Sequence, residues 1–162
     1  MVSPGGGIRK GRPRMGGDRR PKPPVAHSER AKKRILFVCI GNACRSQMAE
    51  AFARKYGSDI LTVRSAGLAP ARTLPLLTGQ VLTEKNIPWE GQFPKGLESF
   101  TGEPFEVVVN LSGKRLPPVL ANARLIEWDV RDPIGESESV YRAVAAQIEG
   151  LVMRLILELR GT

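Results

Sequence analysis

Histidine and cysteine are almost absent from this chain: His27, Cys39 and Cys44 are the only three among 162 residues. Two cysteines five positions apart do not build a disulfide framework. With the single histidine in a basic N-terminal stretch, a Cys/His zinc site is excluded from the rest of the chain. Aromatic residues are scarce at 6%. No run approaches the roughly 20 apolar residues of a membrane helix, so no membrane partner is expected. The N-terminus is basic but lacks the apolar stretch of a secretory signal. Together these absences point to the cytoplasm.

What is present is a 41% hydrophobic chain, long enough for one domain with a real core. The formal charge of +9 is unevenly placed. Residues 1–34 hold eleven Lys/Arg against Asp18 and Glu29, which accounts for all of it, and residues 35–162 balance at zero. The N-terminal segment is rich in Gly, Pro, Arg and Lys and buries too little surface to offset its ordering entropy. It is expected to be a disordered extension of the folded domain at 35–162. Two readings of it stand: an inert extension, or a weak, salt-sensitive anchor for nucleic acid or acidic surfaces.

The domain begins with an apolar run, Ile35 to Ile40, as expected of a central strand covered on both faces. Gly41-Asn42 breaks it. Ser46 to Tyr56 reads as a helix, with Met48, Ala49, Phe52 and Ala53 on one face and Gly57 as its stop. Further strands are expected at 61–65, 106–111 and 124–130. Helices are expected at 73–86 and from about Ser137 to the end, with an irregular stretch at 87–105. Strands alternating with helices imply a parallel sheet with helices on both faces, an α/β fold. Ligands in such sheets sit beyond the carboxyl ends of the strands, at the topological switch point.

The segment that carries chemistry is Cys39-Ile40-Gly41-Asn42-Ala43-Cys44-Arg45-Ser46, between the first strand and the first helix. A strand-to-helix loop can aim successive N–H groups inward as an anion nest, and the helix N-terminus adds favourable partial charge. Gly41 and Asn42 tolerate left-handed backbone angles. Arg45 offers a two-pronged fork to a tetrahedral oxyanion. The same field would favour a Cys39 thiolate, and Ser46 could donate a hydrogen bond to the sulfur. Residues 40–46 are thus the expected phosphate-binding set.

VCIGNACRSQMAE, from Val38 through Glu50, resembles the signature of the low-molecular-weight protein tyrosine phosphatase superfamily, which also contains arsenate reductases. The resemblance covers about residues 35–160 and includes Arg64-Ser65-Ala66-Gly67. It implies a three-layer α/β/α domain around a four-stranded parallel sheet. It also implies that Cys39 is the nucleophile and that Asp132, in Asp132-Pro133, is the general acid. Asp-Pro alone reads equally as a turn, and Asp129 is a nearby competitor without the proline. In the family a second loop cysteine, here Cys44, can pair reversibly with the nucleophile; the alternative is a small packing residue.

The loop does not separate phosphate from arsenate, which share shape and charge. Thioredoxin-coupled arsenate reductases of this kind carry two further cysteines soon after the third strand. This chain reads Asn110-Leu111-Ser112-Gly113-Lys114-Arg115 there, without one. The expected activity is phosphomonoester hydrolysis through a cysteinyl-phosphate. Arsenate reduction with an external small thiol, glutathione or mycothiol, is the alternative. The expected partner is a phosphorylated substrate or free oxyanion. No metal or organic cofactor is needed, and the expected state is a monomer or weak homodimer.

Overall fold

The computed structural model describes residues 31–162. The disordered extension expected at 1–34 therefore lies largely outside the described residues. Its last two positions belong to the first strand, β1, which spans Lys33–Cys39. There Arg34 pairs with Glu103, and its backbone N–H donates to Glu106. The strand thus begins two residues before the apolar run that announces it.

β1 runs into α1 (Arg45–Gly57), then β2 (Leu61–Gly67), α2 (Leu76–Glu84), β3 (Val107–Asn110), β4 (Arg124–Glu127) and α3 (Glu138–Arg160). The four strands form one parallel sheet in the order β2-β1-β3-β4. The chain steps from β1 to one side, then crosses back over β1 to reach β3. That reversal puts the switch point at the carboxyl end of β1, where Cys39 stands.

Alternation along β1 divides the core. Ile35, Phe37 and Cys39 face a large apolar cluster with Met48, Phe52, Val81, Leu82, Val144, Ile148 and Val152, drawn from all three α-helices. Full burial of each such side chain contributes about 1.5–3 kcal/mol. Leu36 and Val38 face a smaller cluster with Ala66 and Val108. This second face is covered by Leu97, Phe100, Leu116 and Leu120, from two single-turn 3₁₀ segments (Leu97–Phe100, Pro118–Leu120) and their flanking loops. The third layer is therefore thin and built of turns.

Two helix ends depart from the sequence pattern for local reasons. α2 starts at Leu76 because Pro75 is its extended N-cap, and a residue before proline resists the helical region. It stops at Glu84, two residues before Asn86 takes a positive φ of 58°. The last two strands are also shorter than their apolar runs. After Glu127 the Trp128 N–H still reaches the Asn110 carbonyl, and the chain then leaves the sheet.

Candidate functional site

The loop after β1 is held from outside by its carbonyl groups. The Cys39 carbonyl accepts from the Leu68 N–H at 3.0 Å, that of Ile40 from Ala69 at 2.8 Å and that of Gly41 from Ala71 at 2.9 Å. The Asn42 carbonyl accepts from Gln47 Nε2 at 3.0 Å and the Ala43 carbonyl from Thr78 Oγ1 at 2.8 Å. The Cys44 carbonyl takes the Met48 N–H at 2.9 Å. Carbonyl and N–H of one peptide unit point in opposite directions, so turning these carbonyls outward turns the N–H groups inward. Those of Gly41, Asn42, Ala43, Cys44 and Arg45 have no protein acceptor among the described residues. The result is a nest of donors at the start of α1.

The turn depends on Asn42, which has a φ of 50° and is fully buried. Its amide Nδ2 donates to Ser46 Oγ at 2.8 Å and to Ser65 Oγ at 3.0 Å. Its Oδ1 accepts from Gln47 Nε2 and from the Lys95 N–H, each at 3.0 Å. All strong positions on the amide are used, which fixes both its orientation and the left-handed backbone beneath it. Gly67 is required behind the loop: a Cβ there would stand 2.7 Å from the Ile40 carbonyl oxygen and 2.8 Å from the Asn42 nitrogen.

Cys39 Sγ lies 2.8 Å from Ser46 Oγ. Because Ser46 Oγ already accepts from Asn42, its own proton is free to point at the sulfur. Arg45 is buried, with Nη1 donating to the carbonyls of Leu111 at 2.6 Å and Val130 at 3.1 Å. Nη2 stands 3.5 Å from Asp132 Oδ2. Nε is buried with no acceptor among the described residues. A charged donor left in this way is costly unless a ligand supplies the acceptor. Asp132 is partly exposed, and its Oδ1 accepts from the Ile134 N–H at 3.1 Å. Asp129, the sequence competitor, is exposed and makes no pair with Arg45.

Cys44 is buried within electrostatic reach of Cys39 and Asp132. Its sulfur lies 3.5 Å from the Tyr141 hydroxyl in the helix-covered core, and both cysteines are free thiols. Burial pushes the Cys44 thiol above its ordinary range, with the Tyr141 hydrogen bond acting against the shift. Tyr141 is itself pushed well up by burial.

Behind the loop lies a layer that sequence reasoning missed. Ser65 Oγ accepts from Asn42 and donates to the buried carboxylate of Glu50. Lys95 Nζ stands 3.7 Å from Glu50 and 3.4 Å from Ser65 Oγ. Burial lowers the Lys95 pKa, with the Glu50 charge partly offsetting this. Gln47 reaches the Phe93 carbonyl and accepts from Gln92 at 2.6 Å. Gln47, Glu50 and Ser65 all fall inside the motif segments that carry the resemblance, but nothing in the sequence joins them to Gln92, Phe93 and Lys95.

Among the described residues no helix is long and apolar enough to cross a membrane, and no three His, Cys, Asp or Glu converge as metal ligands.

A parallel sheet with an N–H nest, a buried cysteine and a buried arginine at its switch point defines a cysteine-loop oxyanion-binding protein. The chain belongs to the low molecular weight phosphotyrosine protein phosphatase family, whose model matches residues 34–162. It is 36% identical over 130 residues to the glutaredoxin arsenate reductase of Synechocystis sp., covering 78% of this chain and 98% of that protein. Among solved structures, an arsenate reductase in the phosphate binding state aligns with a TM-score of 0.73 at 35% identity, over 78% of this chain and 98% of its own. The YwlE arginine phosphatase of Geobacillus stearothermophilus aligns with a TM-score of 0.69 at 28% identity, over 80% and 94%.

Proposed function

We propose that this protein is a cysteine-dependent phosphomonoester hydrolase. The observation that carries the reading is the buried Arg45 Nε, left without an acceptor beside a loop whose N–H groups converge on no protein atom. A tetrahedral dianion satisfies both. Cys39 attacks phosphorus, and Arg45 with the N–H groups of residues 40–45 stabilises the equatorial oxygens as charge develops. Asp132, within 3.5 Å of Arg45, is the general acid for the leaving oxygen. It then accepts a proton from the water that releases phosphate, while Ser46 stabilises the departing sulfur. The residues need no metal for this sequence of steps. A reducing cytoplasm is the assigned compartment, because it keeps Cys39 as a free thiol.

Arsenate reduction is the second reading, favoured by the 36% identity to a glutaredoxin arsenate reductase. With two cysteines in the whole chain, an internal three-cysteine relay is unavailable. An external thiol such as glutathione or mycothiol would supply the second sulfur. Two electrons then pass to arsenic as a mixed disulfide forms on Cys39.

The deciding experiment is a paired assay on the full chain. One arm follows p-nitrophenyl phosphate hydrolysis, the other arsenite formation with glutathione, mycothiol or glutaredoxin supplied, each with Cys39→Ser as control. Cys39-dependent hydrolysis is the expected result. Thiol-dependent reduction with only trace hydrolysis would transfer the assignment to the second reading.

A further inference from the structure

The Lys95 ammonium stands behind the loop, facing four oxygens and an aromatic ring. Its Nζ lies 3.2 Å from the Phe93 carbonyl, 3.4 Å from Ser65 Oγ, 3.5 Å from Asn42 Oδ1 and 3.7 Å from Glu50 Oε1, with the centre of the Phe93 ring 5.3 Å away. The Lys95 side chain is only 14% exposed and that of Glu50 5%. Desolvating two charges is costly, and apolar replacements of a buried pair are often neutral or stabilising. The charge is not needed for attachment either. The Lys95 backbone supplies that, accepting from the Gly67 N–H at 2.8 Å and donating to Asn42 Oδ1 at 3.0 Å.

What the ammonium adds is a sense to the hydrogen bonds around it. An ammonium donates and never accepts, so each oxygen facing it presents a lone pair. Asn42 must then turn Oδ1 toward Lys95 and Nδ2 toward Ser46 and Ser65. Ser65 turns its proton away from Lys95 and donates it to the Glu50 carboxylate. Ser46 Oγ, accepting from Asn42, keeps its one proton for Cys39 Sγ at 2.8 Å. With the Asn42 amide reversed, both serines would have to donate to it, and the sulfur would face the lone pairs of Ser46.

We propose that Lys95 is a positioning residue for the nucleophile: its ammonium sets the orientation of the Asn42 amide and, through it, the Ser46 hydrogen bond that stabilises the Cys39 thiolate. The proposal needs Cys39 as the nucleophile, which both readings of the reaction share, and is independent of the substrate. The charges around Lys95 act in opposite senses: Glu50 favours the ammonium, whereas Arg54 on α1 and Arg64 on β2 oppose it.

The test is the pH dependence of Cys39 alkylation by iodoacetamide in the full chain, read at Cys39 by mass spectrometry so that Cys44 does not interfere. The proteins are the wild type, Lys95→Met and Lys95→Arg. Methionine keeps an unbranched stem and the backbone bonds and removes only the charge. Arg45, Cys44 and Asp132, the other ionisable groups of the site, are unchanged in every variant. The midpoint in Lys95→Met should rise by about one pH unit, making alkylation about tenfold slower below it. Calorimetric affinity for inorganic phosphate should stay within about threefold, because the backbone nest is intact. Arginine, also a donor-only cation, should restore the wild-type midpoint. An unchanged midpoint in Lys95→Met overturns the proposal, as does a Lys95→Arg midpoint equal to that of the methionine variant. A shift accompanied by loss of phosphate binding overturns it too, since the loop would simply have collapsed. Should Lys95→Met not fold, E50Q/K95M removes both charges together and is read by the same criteria. Alkylation needs no turnover, so this result and the phosphatase reading stand or fall separately.

Discussion

Arg45 Nη2 stands 3.5 Å from Asp132 Oδ2, joining the first turn of α1 to the loop before α3 across 87 positions of sequence. The guanidinium is buried and the carboxylate is partly exposed, so an entering dianion competes with Asp132 for the same cation. A protonated Asp132 removes that competition and carries the proton the leaving group needs. Asp132→Asn should therefore lower kcat by about 10²–10⁴-fold for an alkyl phosphate. The loss should be much smaller for p-nitrophenyl phosphate, whose leaving group needs little protonation. Affinity for inorganic phosphate should hold or rise. Equal losses on both substrates would remove Asp132 from the acid role.

Gly67→Ala would place a methyl group against backbone atoms of Ile40 and Asn42, which cannot swing aside as a side chain can. Overpacking of this kind costs about 1–3 kcal/mol. The loop is the part that must move, so phosphate affinity measured by calorimetry should fall further than thermal stability. Unchanged phosphate binding would show that the loop tolerates displacement.

Asn42 does two jobs, which two substitutions separate. Asn42→Ala loses its amide hydrogen bonds and meets a left-handed backbone cost of about 1–2 kcal/mol. Asn42→Gly loses the same bonds while keeping the conformation accessible. The glycine variant should be the more stable in urea denaturation, and both should lose most of their kcat. Recovery of activity in the glycine variant would mean that backbone angle alone shapes the nest.

Burial raises the Cys44 pKa above its ordinary value of 9.0. A raised folded pKa means that the contribution is fully present below pH 9 and lost as pH climbs toward the folded value, because the unfolded thiol ionises first. Stability should decline above pH 9 by up to about 1.4 kcal/mol per pH unit from this group. Cys44→Ala should flatten that part of the curve in denaturation series from pH 7 to 10.5. Parallel curves for the two proteins would show that Cys44 does not titrate differently on folding.

The apolar run of β1, the break at Gly41-Asn42 and the helix after Ser46 were legible because each is a local pattern that its own residues enforce. The Cys39, Arg45 and Ser46 spacing was legible for the same reason: one loop holds all three. Asp132 needed the resemblance, because its link to Arg45 is made only by folding. The layer behind the loop was not legible. Lys95 reaches Asn42 and Glu50 from a stretch that reads as irregular, and Gln92 meets Gln47 across 45 positions. Polar residues seated by distant partners leave no periodicity in the sequence. The thin third layer escaped for a related reason: strand–helix alternation predicts helices on both faces, whereas Leu97 and Phe100 cover theirs from a single turn.

That lopsided covering gives the domain two different resistances to opening. The face under α1, α2 and α3 is sealed by long elements that come away only together. The opposite face is sealed by short turns, each able to lift independently and expose Leu36, Val38 and Val108 to water. Amide protons of the 3₁₀ turns should exchange long before those of β1, so the protein can breathe on the side of those turns while the Cys39 loop stays clamped.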